Sequence, residues 1–203
     1  MSSWSNNSLI MKRDSNNLEP LFSENDKVMF YKYLDKATTY FEYGSGGSTY
    51  QASLRQNILT IYSVESDLEW YNKLKKIVKG DNIKLIYNEM GTLPNTYGNP
   101  GPTSTNAQRI NYSEQIKLIT GSIDFILIDG RFRVACCLKC FDIINSGCLI
   151  AFDDFLNRIA YHIVLDYYDV IDKTSNNRMV ILRKKTGIQI PQEIITKYEL
   201  IAD

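Results

Sequence analysis

The chain has 203 residues, with 23 Lys and Arg against 23 Asp and Glu, one histidine, 44% hydrophobic and 23% charged residues. That size and balance suit one globular domain with a buried core and exclude wholesale disorder. A net charge of +0 removes the basic field that nucleic-acid binding wants, and no apolar run approaches the roughly 20 residues that span a bilayer. The N-terminus is polar with no apolar signal core, so a cytoplasmic chain with reduced cysteines is expected. The 17 Asn, 24 Ile and 14 Tyr are what an AT-rich genome writes, so a lone Asn carries little weight.

In chain order, residues 1–22 read as a polar arm and 23–203 as the domain. Ser23 suits the N-cap of a first helix through Val28, Phe30, Tyr31 and Leu34. TTYFEY (38–43) is a strand, stopped by GSGGST (44–49), on which a helix from Tyr50 can begin. NILTIYSVE (57–65) is a second strand. SDLEWYNKLKKIVKG (66–80) has helical spacing and ends at Gly80. NIKLIYNEM (82–90) is a third strand. Residues 91–111 hold three of the five prolines and read as a long loop over the site, functional or mobile. A short helix (113–120), the apolar strand IDFILIDG (123–130), a helix (133–145), the strand CLIAFDDF (148–155) and a helix near 158–166 follow. YYDVID and RMVILRK, separated only by a short polar turn, form an antiparallel hairpin, and a short helix follows Pro191. Alternating strands and helices mean a doubly wound α/β fold, with ligands at the carboxyl ends of the strands.

The polar clusters fall at those ends: Glu42, Glu65, Asn88 with Glu89, Asp129, and Asp153 with Asp154. Singly, Asp154 or Ser66 reads equally well as an N-cap; jointly the acids mark one rim. The turn Gly44-Ser45-Gly46-Gly47-Ser48-Thr49 permits tight curvature and close approach of a ligand, and the free N–H groups of the helix it opens attract an anion. The dinucleotide fingerprint G-x-G-x-x-G is not met, because Thr49 stands at its last position. Glu65 lies 19 residues beyond Gly46, where an acid takes ribose hydroxyls.

The set FEYGSGGST, IYSVESD, DFILIDG and CLIAFDDF resembles the class I S-adenosylmethionine-dependent methyltransferases over residues 24–185. IDGRFRVACCLKC with DDF and YHIV looks like a small subgroup associated with sugar or polysaccharide modification. The resemblance implies a Rossmann-like, mostly parallel seven-stranded sheet of order 3-2-1-4-5-7-6, with the last strand antiparallel. It implies S-adenosyl-L-methionine as donor. Glu42 would anchor the donor's amino group, directly or through the loop. Gly44, Ser45 and Gly46 would pass beneath the methionine part, with Ser48 and Thr49 offering N–H groups or hydroxyls to its carboxylate. Glu65 would take the ribose with Ser66 beside it, Asn88 or Glu89 would lie near the adenine, and Asp129 would face the amino group or sulfonium. One departure is Ser48 where the family's third loop glycine is common.

O-methylation of a sugar or nucleotide-sugar hydroxyl is the expected reaction. Metal-assisted O-transfer, N-transfer to another small molecule, or a non-catalytic donor-binding module of a glycan-modifying assembly are alternatives, and a homodimer is possible. An alcohol acceptor profits from a general base. His162 is the first candidate, provided that its helix starts near Asn157 or Arg158; from a start at Asp154 it would stand ~12 Å up the axis. Asp154 competes for the role. Arg131, Arg133 and Arg158 either grip an anionic group on the acceptor or pair with acids. Asp129, Asp153 and Asp154 could offer oxygens to a divalent cation, but Arg131 stands where the metal-using members carry an acid, so none is expected. Cys136, Cys137, Cys140 and Cys148 lack zinc spacing and read as buried thiols.

Overall fold

The structure, a computed structural model, describes residues 17–93 and 96–202. Within them the order is α1 (Glu24–Leu34), β1 (Thr39–Tyr43), α2 (Gly47–Ser53), β2 (Thr60–Glu65), α3 (Leu68–Ile77), β3 (Ile83–Tyr87), α4 (Asn106–Glu114), β4 (Phe125–Ile128), α5 (Arg133–Cys140), β5 (Leu149–Phe152), β6 (Tyr168–Lys173), β7 (Val180–Lys184) and α6 (Gln192–Tyr198). The seven strands form one sheet in the order β3-β2-β1-β4-β5-β7-β6. β1 to β5 pair in parallel, and β7 runs antiparallel to both neighbours. This is the expected topology.

Strand alternation divides the core between the two faces. Phe41, Tyr43, Tyr62, Val64, Ile126 and Ile128 pack on one side with α5, and Tyr40, Ile61, Phe125 and Leu127 pack on the other with Phe30 and Leu34 of α1. Each such fully buried side chain contributes about 1.5–3 kcal/mol through lost apolar exposure. All four cysteines are buried, three of them on α5 against the sheet.

Four elements differ from the sequence reading; the first is α2, which starts at Gly47 rather than Tyr50. The loop after β3 ends at Thr105, because Thr105 and Gln108 form a capping box that starts α4 earlier than expected. α5 stops at Cys140 rather than 145. Residues Ile159–Asp166 form a 3₁₀ helix with Arg158 as N-cap, not an α-helix. Residues 1–16 of the expected arm, Trp4 included, lie outside the described residues. The remainder buries Leu18 and Phe22 against the domain. No helix among the described residues is long and apolar enough to cross a membrane.

Candidate functional site

Register puts the acids where the alternation predicts. Glu42 of β1 lies beside Ser63 of β2, on the face that α2 covers. Its carboxylate is fully buried and accepts hydrogen bonds from Tyr40 Oη (2.7 Å), Ser48 Oγ (2.6 Å), Ser63 Oγ (2.6 Å) and Thr49 Oγ1. Burial raises its pKa above the ordinary value, and the four hydroxyls oppose that shift. Glu42 therefore acts through the loop, holding the first turn of α2 by Ser48 and Thr49. The same bonds commit the hydroxyls of Ser48 and Thr49 to Glu42.

The turn itself is fixed from three sides. Gly44 has φ +93°, and a Cβ there would stand 2.8 Å from the Gly130 backbone nitrogen, so the β1 and β4 ends meet at two glycines. Trp70 of α3 donates its indole N–H to the Ser45 carbonyl at 2.8 Å. Residues Glu19 and Pro20 cross the start of α2 so closely that a Cβ on Gly47 would sit 2.1 Å from the Glu19 carbonyl carbon. Glu19 is pinned there by Gln51 Nε2 (2.8 Å) and by Tyr31 Oη (2.7 Å), both donating to its carboxylate.

These elements enclose a cleft of about 360 Å³ at the carboxyl ends of β1, β2 and β4. Gly44, Ser45, Gly46, Ser48, Glu65, Ser66 and Asp129 all line it, as does Arg131. Gly46 faces open space. Glu65 Oε1 accepts from the backbone N–H groups of Ser66 and Asp67, both at 2.7 Å. Burial pushes its pKa up to about 7 against those bonds. Sequence reasoning missed several walls: the 19–21 segment, Trp70 and Lys73 of α3, Tyr97 with Gly98, and Tyr112. The aromatic character of Trp70 was one signal, and Tyr97 and Gly98 fall in the loop that the sequence reading placed over the site. Tyr97 and Gly98 are drawn across by Arg131, whose Nε donates to the Tyr97 carbonyl at 2.9 Å, and by Ser66 Oγ, 3.5 Å from the Gly98 carbonyl.

Other expected site residues stand elsewhere. Asn88 is buried, and its side chain bonds Asn111 Nδ2 (2.5 Å), Gln115 Nε2 (3.1 Å) and the Gln108 carbonyl (3.4 Å); it anchors α4 and does not line the cleft. Glu89 is exposed and also off the lining. His162 stacks on buried Phe155 with ring centroids 5.5 Å apart, its Nε2 is buried without a partner, and it is not among the lining residues. Asp154 (φ +59°) is likewise outside the lining. It is bonded to Arg178 Nη2 through Oδ1 at 2.7 Å and to Arg158 Nη2 through Oδ2 at 3.1 Å. Arg158 also reaches Tyr161 Oη at 2.7 Å. Arg133 is turned back into the strand ends rather than toward an acceptor.

Asp129 and Asp153 follow adjacent parallel strands at the same level. Burial, and the charges of neighbouring carboxylates, raise the pKa values of both, while Arg133 opposes the shift. As a metal centre the set does not fit. Arginine guanidinium groups are already paired with each of Asp129, Asp153 and Asp154, and the described residues contain no group of three or more His, Cys, Asp or Glu arranged to hold a metal ion.

No protein-family model and no curated protein sequence matches the chain. Among solved structures, a methyltransferase-like protein from Silicibacter pomeroyi is similar, with 22% identity, a TM-score of 0.80, and coverage of 90% of this chain and 97% of that one. Precorrin 8w decarboxylase from Methanobacterium thermoautotrophicum superposes with a TM-score of 0.52 at 12% identity, over 83% of this chain and 94% of its own. At such identities the likeness is one of architecture: the chain has the seven-stranded, Rossmann-like fold of a methyltransferase-like protein.

Proposed function

We propose that this protein transfers a methyl group from S-adenosylmethionine to a small polar acceptor. The observation that carries the reading is the convergence of the 44–48 turn, Glu65 and Asp129 on one cleft of about 360 Å³. The residues fit the donor by chemistry. Glu65, an acid at the end of β2, accepts hydrogen bonds from paired ribose hydroxyls. The backbone of Gly44 to Gly46 offers a side-chain-free floor for the methionine part, with open space above Gly46. Asp129, with a side chain 29% exposed, presents a carboxylate to a cationic amino group or sulfonium. When bound, the donor supplies an electrophilic methyl on sulfur. The walls then hold that carbon in line with a nucleophile, and such positioning is worth several kcal/mol.

The acceptor class we propose is a sugar or nucleotide sugar, methylated on a hydroxyl. It is supported by the resemblance of the IDGRFR and DDF segments and by the polar rim that Asp67, Lys73 and Arg131 give the cleft. A nitrogen acceptor is the second reading. It is favoured by the positions of His162 and Asp154 outside the lining, because an amine needs no strong base at the site.

Calorimetry with S-adenosylhomocysteine tests the donor site. Wild-type protein binds it, and Glu65→Ala weakens binding by about 10- to 100-fold, the range for a lost hydrogen bond to a charged group. Binding of a nicotinamide dinucleotide in its place refutes the reading. Nucleotide sugars and amines screened with radiolabelled donor separate the two acceptor classes.

A further inference from the structure

Arg133 is the first residue of α5, and only 8% of it is exposed. Its guanidinium meets Asp129 Oδ1 at 3.1 Å, Asp154 Oδ2 at 3.6 Å and Asp153 Oδ2 at 3.8 Å. It also donates to three carbonyl oxygens: Asp153 (2.8 Å), Gly130 (3.0 Å) and Asp129 (3.3 Å). Six oxygens from three carboxylates and three carbonyls are the donor type a hard divalent cation prefers, although with Arg133 in place the described residues form no group arranged to hold a metal ion. Here they surround an organic cation whose planar fork suits that mixture of acceptors. Arg178 and Arg158 close the outer side on Asp153 and Asp154, so three carboxylates face three guanidinium groups. A divalent ion entering this neutral set would meet like charge in a partly buried environment, where repulsion is stronger than in water. One acceptor remains: Asp153 Oδ1, on a side chain 4% exposed, has no partner and lies within the cluster.

We propose that Arg133 is a built-in cation that takes the place of a divalent metal at the ends of β4 and β5, and that it thereby positions the Asp129 carboxylate in the wall of the cleft. The site works without metal. The cation assignment does not rest on the methyl-transfer reading.

The test uses Mn²⁺ alone, followed by the loss of its free-ion electron paramagnetic resonance signal, with no donor present. A failure of the methyl-transfer reading therefore leaves the result untouched. Wild-type protein takes up no Mn²⁺ below about 1 mM, the weak end of protein cation sites. Arg133→Ser, folded by circular dichroism, gains a site at least about tenfold tighter, and adding Asp153→Asn removes it again. Arg133→Lys keeps the charge and gains none. Stoichiometric Mn²⁺ uptake by the wild type that Asp153→Asn abolishes overturns the proposal, as does a folded Arg133→Ser variant without a site. Should Arg133→Ser fail to fold, the wild-type and Arg133→Lys titrations decide.

Discussion

The two sides of the rim at the strand ends treat their acids in opposite ways. On the β1–β2 side, Glu42 is met by four hydroxyls and Glu65 by backbone N–H groups, and no cation contacts either in the bonds described above. On the β4–β5 side, Asp129, Asp153 and Asp154 are met by arginines. Neutral donors shape a surface without fixing its charge, so the first half can still respond to a ligand and to pH. Guanidinium groups fix charge and geometry together, so the second half is a rigid wall. A buried ion pair of this kind is costly to break, because the surviving charges lose their compensation.

Removing that compensation is expected to have the largest effect. Arg133→Met should lower stability by about 3–5 kcal/mol, read from urea unfolding. A loss below ~1 kcal/mol would mean that Arg178 alone balances the acids. Next, Glu42→Gln keeps the volume but loses the charged acceptor shared by four hydroxyls, and about 1–3 kcal/mol is expected. The same variant should loosen the start of α2, seen as faster amide exchange at Ser48 and Thr49.

The pH response sharpens the contrast. With its pKa pushed up to about 7, free Glu65 is protonated below that pH. Ribose hydroxyls favour its charged form, so binding lowers that pKa. Affinity for S-adenosylhomocysteine should accordingly rise about tenfold between pH 6 and pH 8 and then level off. Glu65→Gln should bind weakly and lack this rise. A persisting rise would assign the titration to the Asp129–Asp153 side. Gly47→Ala tests the wall built by the entering chain. Its methyl would stand 2.1 Å from the Glu19 carbonyl carbon, so the 19–20 backbone must move, and a severalfold loss of affinity with about 1–3 kcal/mol of stability is expected.

The sheet was legible because strand alternation, the placement of acids at strand ends and the short turn between β6 and β7 are all local patterns. Glu65 and the 44–48 turn were legible for the same reason. What the spacing did not carry was pairing between distant residues. Asn88 could be placed at a strand end, but not its commitment to Asn111 and Gln115. Ser48 and Thr49 could be placed on the turn, but not the capture of their hydroxyls by Glu42. Arg133 was visible as a charge beside acids, with no sign of which way it would turn. The helix start at Thr105 did have a signal, since Thr-x-x-Gln is a capping box, but the surrounding Pro, Gly and Asn masked it.

The chain enters the fold along the rim of its own cleft. Leu21 borders the cavity while keeping 64% of its surface exposed. An environment-sensitive dye attached at that position would therefore act as a sensor, reporting occupancy by any small molecule before the molecule's chemistry is known.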